Sequence, residues 1–213
     1  MSTQTTRARA TLYEWVQAES LRKHCEAVAA CMVHFARKTG ADEDLWGAVG
    51  LLHDMDFERY PDMPAEGPAT TALAEALIAG EPVPATLPGH PFYGVAYVRE
   101  AGWGTEVVRA ILSHADYSGI APASPMERTL YAVDELSGFV TAVALVRPDK
   151  NIASVEVASV KKKFKDKAFA AKVSRPGMHH GAEVIGMNLD DLIAEVIAAL
   201  RAEAPRLGIG GGS

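Results

Sequence analysis

Apolar residues recur at three- and four-residue intervals along nearly the whole chain, the spacing that lays one apolar stripe along a helix. The two-residue alternation of strands is almost absent. Leu12, Trp15 and Val16 mark a first helix. A second is expected from a Ser20 cap through Leu21, Val28, Met32 and Phe35 to Gly40, since glycine commonly ends helices. A third starts at Asp42 or Asp44 and carries Trp46, Val49 and Leu52 up to His53. Residues 60–68 hold three prolines and a glycine and read as a loop. An Ala-rich helix from Thr70 to Ala79 closes at Gly80, and a second Pro-rich loop runs to Gly89. His90-Pro91 opens a helix ending near Gly102, because a first turn tolerates proline. Thr105 caps another through Val108, Ile111 and Leu112 to His114. A long helix follows from Met126 to about Val146, and a last one from roughly Leu189 to Ala204. The pattern predicts one all-α domain, a helical bundle over residues 1–207, with the last third as an accessory part. Gly208 to Ser213 reads as a flexible tail or cloning remnant outside the fold.

Composition narrows the class. Hydrophobic residues make up 48% of 213, enough for a core without staples. Cys25 and Cys31 are six apart, which fits no zinc motif and no disulfide framework, so they read as core thiols of a reducing compartment. The N-terminus lacks the apolar stretch of a signal peptide, and no run of about 18 apolar residues occurs. A soluble, cytoplasmic protein is expected, with no membrane association. A net charge of −6 argues against nucleic-acid binding, which normally needs a basic face.

Polar residues inside the apolar helices carry the chemistry. His53-Asp54 sits in the apolar stretch that includes Leu45, Trp46, Val49, Leu51 and Leu52. Burying an imidazole beside a carboxylate is costly unless both are compensated, and a metal ion compensates both. His24 upstream, and His90, His114 and Asp134 downstream, each lie on or beside an apolar helical segment. Six such ligands on four or five helices suit a metal site in a bundle. A satisfied core histidine, a helix cap or a surface acid is the plain alternative at each position taken singly. His34, ten residues beyond His24, points about 80° away from it on a helix and receives no role. His179 and His180, after Arg175-Pro176-Gly177, read as a surface loop, and Trp15, Trp46 and Trp103 as core.

The ordered series His24, His53-Asp54 and Asp134 resembles the HD-domain superfamily of metal-dependent phosphohydrolases. The phrases Val49-Gly-Leu-Leu-His-Asp-Met-Asp, Ile111-Leu-Ser-His-Ala-Asp and Tyr131-Ala-Val-Asp-Glu-Leu-Ser-Gly carry the likeness, which covers roughly residues 10 to 200. His90 and His114, placed between the His-Asp pair and the final Asp, resemble the binuclear subset. The resemblance implies an HD-domain-like bundle in which one metal uses His24, His53, Asp54 and Asp134. A second would use His90 and His114, with Asp54 bridging. The Gly-Tyr-Pro signature of cyclic-dinucleotide phosphodiesterases is missing, since Arg59 precedes Tyr60-Pro61.

Two divalent ions are therefore expected, of Mn, Fe, Co, Mg or Zn. With Asp54 as the central catalytic carboxylate, Asp56, Glu58 or Asp116 could orient water or protonate a leaving group. Arg59 and the run Lys161 to Lys167, Lys161 and Lys162 foremost, are candidates for binding phosphate oxygens, although such a run is commonly a solvated helix face. The expected activity is hydrolysis of a small phosphate ester, nucleotide-like or not, by a protein that could dimerise. A mixed-valence di-iron oxygenase of the same fold and a non-catalytic metal-stabilised module are the alternatives.

Overall fold

The computed structural model describes residues 3–171 and 173–211. Its elements are α1 (Gln4–Trp15), α2 (Glu19–Thr39), α3 (Glu43–Leu52), α4 (Pro68–Ala79), α5 (Phe92–Glu100), α6 (Thr105–Ser113), α7 (Pro125–Leu145), α8 (Val157–Phe164), α9 (Arg175–Ile185), α10 (Leu189–Ala202) and α11 (Ala204–Leu207). Short 3₁₀ turns occupy Asp116–Ser118 and Ile152–Ser154. No strand occurs among the described residues, so the all-α expectation holds.

The ends of these helices follow from local chemistry. The Asp42 carboxylate accepts the backbone N–H of Asp44 and Leu45 and starts α3. Ser124 accepts from the Glu127 N–H while the Glu127 carboxylate accepts from Ala123, which satisfies donors on both sides of the start of α7. Gly40 ends α2 in the left-handed conformation at φ 71°. Local signals mislead at other ends. Ser20 lies inside α2, whose N-cap position is Ala18 without a side-chain cap. The N–H groups of Gln17 and Ala18 are instead taken by the carboxylate of Glu58, forty residues away or more. Thr105 is the first residue of α6 and Gly104 holds the cap position. His90 precedes α5 and does not begin it.

Two 21-residue helices, α2 and α7, form the centre. α3 packs on α2 and α1; α9, α6 and α8 pack on α7; α10 closes against both central helices. Gly50 sets the α2–α3 distance, because a Cβ there would lie 2.6 Å from the Ala29 Cα and 2.7 Å from its nitrogen. Those are backbone atoms that cannot rotate away. The close approach brings the C-terminal end of α3 beside the first turns of α2.

The C-terminal region also departs from its pattern. His179 and His180 lie on α9, and the ring of His180 packs edge-on against Tyr131. Residues 208–210 belong to the fold: Ile209 is 0% exposed and its carbonyl accepts the Ile152 N–H at 2.8 Å. A single bridge pairs Asn151 with Gly210. Burying an isoleucine stabilises by about 1.5–3 kcal/mol, so this segment is a structural strap. No helix among the described residues is long and apolar enough to cross a membrane.

Candidate metal centre

Local geometry supplies the first pair of donors. His53 is the residue after the last turn of α3, and its Nδ1–H donates to the Gly50 carbonyl at 2.8 Å. That bond leaves the Nε2 lone pair facing inward, in a side chain that is 0% exposed. Asp54 follows in the turn. His24, on the second turn of α2, brings its Nε2 to 3.3 Å from the Nε2 of His53. Asp134, in the middle of α7, places Oδ1 2.9 Å from His24 Nε2 and 3.4 Å from His53 Nε2.

A second cluster forms beside the first. His114 caps α6 as His53 caps α3, with its Nδ1 bonded to the carbonyl of Ile111. His90 enters from the segment before α5, its Nδ1 2.6 Å from Asp56 Oδ1. The Nε2 atoms of His90 and His114 then face each other at 3.3 Å. With both Nδ1 positions donating elsewhere, neutral rings would set two Nε2 lone pairs against each other. A metal ion between them, or a proton on one of them, resolves that contact.

Asp54 joins the clusters. Its Oδ2 lies 3.6 Å from His24 Nε2 and 3.7 Å from His53 Nε2, while its Oδ1 lies 3.3 Å from His90 Nε2 and 3.4 Å from His114 Nε2. Within each of two triads, His24–His53–Asp134 and Asp54–His90–His114, one donor atom per residue lies within 4.8 Å of the others. Nitrogen and carboxylate oxygen of this kind suit borderline and hard divalent ions, so each triad could hold one.

The electrostatics match that use. Burial works against the charged form of Asp54, yet the facing His53, His114 and His90 hold its carboxyl below the usual range. Asp134 is likewise buried, and His53 and His24 keep it ionised. Burial opposes the charge on His53, but Asp54 and Asp134 outweigh it and raise the imidazole to about 9. His90 is raised in the same sense, against burial, by Asp56 and Asp54. The site thus holds ionised carboxylates and attracts positive charge.

All six expected metal positions converge, and of the other expected site residues Asp116 lines a cavity beside them, while Asp56, Glu58, Arg59 and the lysines are placed elsewhere. Asp56 is 0% exposed and both its oxygens are occupied, Oδ1 by His90 and Oδ2 by the Gly94 N–H at 2.7 Å. It orients His90 and is closed to solvent. Glu58 braces the corner between α1 and α2, as described above. Arg59 donates to the carbonyls of Trp15 and Glu14 at 2.9 and 2.8 Å and stacks on the Trp15 ring. Its guanidinium therefore holds the end of α1. Lys161 pairs with Asp190 at 2.6 Å on the surface, and Lys162 is exposed on the same helix, α8.

Other residues do reach the centre. A cavity of about 120 Å³ has His114 and Asp134 in its wall together with Asp116, Tyr131 and Glu135. Burial and the charge of Asp116 push the Tyr131 phenol up. Tyr117 is pushed up too, by burial and then by the charges of Asp54, Asp56 and Asp134. Neither tyrosine carries a signal along the chain, because an aromatic near an apolar helix reads as core. His24, 23% exposed, also borders a larger cavity of about 440 Å³ lined by Gly138, Ala142, Leu145 and Leu207.

The profile of one protein family, described as HD domain, matches residues 21–138. The matched segment runs from the start of α2 to the middle of α7 and includes every residue of both triads. No curated protein and no solved structure matches the chain.

Proposed function

The chain belongs to the HD-domain family, and from that premise we propose that it is a metal-dependent phosphohydrolase with a binuclear centre, hydrolysing a small phosphate ester. HD-domain proteins are generally metal-dependent hydrolases. The observation that carries the binuclear reading is the division of Asp54, with one carboxylate oxygen turned to each triad.

His24, His53 and Asp134 would hold one ion and His90 and His114 the other, with Asp54 shared. Divalent ions there supply Lewis acidity, lowering the pKa of coordinated water and drawing charge from a phosphoryl oxygen. The protein's own part is preorganisation. Backbone carbonyls fix the tautomers of His53 and His114, and the Asp56 carboxylate fixes that of His90. The partial exposure of His24, Asp54 and Asp134 gives a substrate its approach, whereas His53, His90 and His114 are closed to solvent.

The test is metal content by mass spectrometry on untagged protein, with hydrolysis of p-nitrophenyl phosphate followed in Mn, Co, Fe and Mg. Wild type should carry about two ions per chain, and His114→Ala about one, with hydrolysis reduced at least a hundredfold. One ion in both proteins would remove the binuclear reading. A protein that consumes dioxygen with an iron-specific spin signal, and hydrolyses no ester, would be an oxygenase of this fold.

A further inference from the structure

We propose that the substrate is a small phosphate monoester carrying a positively charged amino group, bound with that amine against Asp116 and Glu135. The proposal rests on the phosphohydrolase reading above and adds the class of substrate. Its basis is the charge and size of the space beside the two triads.

The small cavity takes His114 from one triad and Asp134 from the other, so a group bound across the centre projects into it. At about 120 Å³ it is well below the roughly 300–1,000 Å³ of sites for drug-sized ligands, and it admits few heavy atoms. Apart from the triad residues, the acidic side chains in its wall are Asp116 and Glu135, and burial together with the charge of Asp134 raises the Glu135 carboxyl to about 7. Two further cavities border His24, one against Gly138 and Leu145 and a shallower one against Phe57 and Pro61. Among the described residues lining these three cavities the one basic side chain is Lys23, which pairs with Glu19 at 2.7 Å. Arg59 and Lys161 are engaged elsewhere.

This charge pattern selects among phosphate compounds. Two divalent ions, less the charges of the direct ligands Asp54 and Asp134, would leave a positive ligand set that suits the dianion of a phosphate monoester, with the Asp56 carboxylate behind His90 lowering it further. A polyphosphate or a dinucleotide brings further anions, which proteins normally meet with arginine or lysine. Here those anions would meet Asp116 and Glu135. An ammonium group on the ester reverses the sign of that contact, beside the Ser174 N–H that Glu135 already accepts and the Tyr131 hydroxyl against Asp116. In the reaction the water oxygen bonds to phosphorus as the phosphorus–ester bond breaks. The leaving oxygen takes a proton originating from that water, so the products are inorganic phosphate and an amino alcohol.

The experiment compares kcat/KM of the Mn-loaded protein for O-phosphorylethanolamine, 2-hydroxyethyl phosphate and ATP. The first two have the same length and differ in ammonium against hydroxyl. The amine ester should be preferred at least tenfold over both. In the Asp116→Asn, Glu135→Gln double variant the ratio of amine ester to hydroxyl ester should fall to near one. Both positions are exposed, and an unchanged thermal midpoint and metal content would confirm that the variant is folded. Equal rates in the wild type, a ratio unmoved in the variant, or ATP as the best substrate would each overturn the proposal. Mn-dependent hydrolysis without amine preference removes this proposal and leaves the hydrolase reading in place. Failure to hydrolyse any phosphate ester with any metal removes both.

Discussion

Asp56 accepts the Nδ1–H of His90 at 2.6 Å through one oxygen and the Gly94 N–H at 2.7 Å through the other. A buried carboxylate thus ties the turn after α3 to the start of α5 and fixes which nitrogen of His90 faces the centre.

Asp56→Asn tests that tie. An amide has one acceptor oxygen and one donor nitrogen, so it cannot accept from both His90 and Gly94. Affinity for the second metal should fall by roughly 10–100-fold, the usual effect of losing such an outer partner, while the first metal stays bound. Titration of the metal-free protein with Mn, followed by calorimetry, reads both steps. Two unchanged affinities would show that the bond is idle.

Gly50→Ala should separate α3 from α2, since the new methyl would overlap the Ala29 backbone. Forcing such a contact costs about 1–3 kcal/mol or more, read as a lower urea midpoint with an unchanged slope. Metal binding at the His24–His53–Asp134 triad should weaken as well, because the same approach sets the 3.3 Å spacing of His24 and His53. Full stability in this variant would contradict the close packing.

Arg59→Ala separates a brace from a substrate contact. Losing two hydrogen bonds to carbonyls and the stacking on Trp15 should cost about 1–3 kcal/mol of stability. The KM for a phosphate ester should stay within twofold of wild type. A KM raised tenfold with unchanged stability would return Arg59 to the substrate.

Glu195 on α10 clamps α2, with Oε2 at 2.6 Å from His34 Nε2 and Oε1 bonded to Lys38. His34 and then Lys38 hold its carboxyl below the ordinary value of 4.5. A lowered folded value means that this stabilisation is present above pH 4.5 and is lost as pH falls through the lowered value. Partial exposure limits it to about 0.5–1 kcal/mol. Glu195→Gln should therefore lower the thermal midpoint at pH 7 and flatten its decline between pH 5 and pH 3. Parallel acid limbs for the two proteins would rule the clamp out as a source of acid sensitivity.

The helical class and the six donor positions are legible in the chain for one reason. Apolar spacing of three and four needs no partner to be recognised, and a histidine or aspartate set inside it must have a compensating partner. Glycine and asparagine, serine or aspartate mark several helix ends because their effects act over four residues. The bracing residues are not legible in this way. Glu58 caps Gln17 and Ala18, Arg59 holds Glu14 and Trp15, and Ile209 lies against Ile152, each across forty residues or more. No local pattern records such distances, so a charged pair beside His53-Asp54 looked catalytic, and a glycine-rich end looked loose.

The sequence by itself determined that these helices form and marked His24, His53, Asp54, His90, His114 and Asp134 as polar groups set among apolar helices, because both follow from the free energy of burying particular side chains. Tertiary structure alone decided which oxygen of Asp54 faces which triad, that Asp56 serves His90, and that the mouth is acidic, because those depend on where separate helices meet in space.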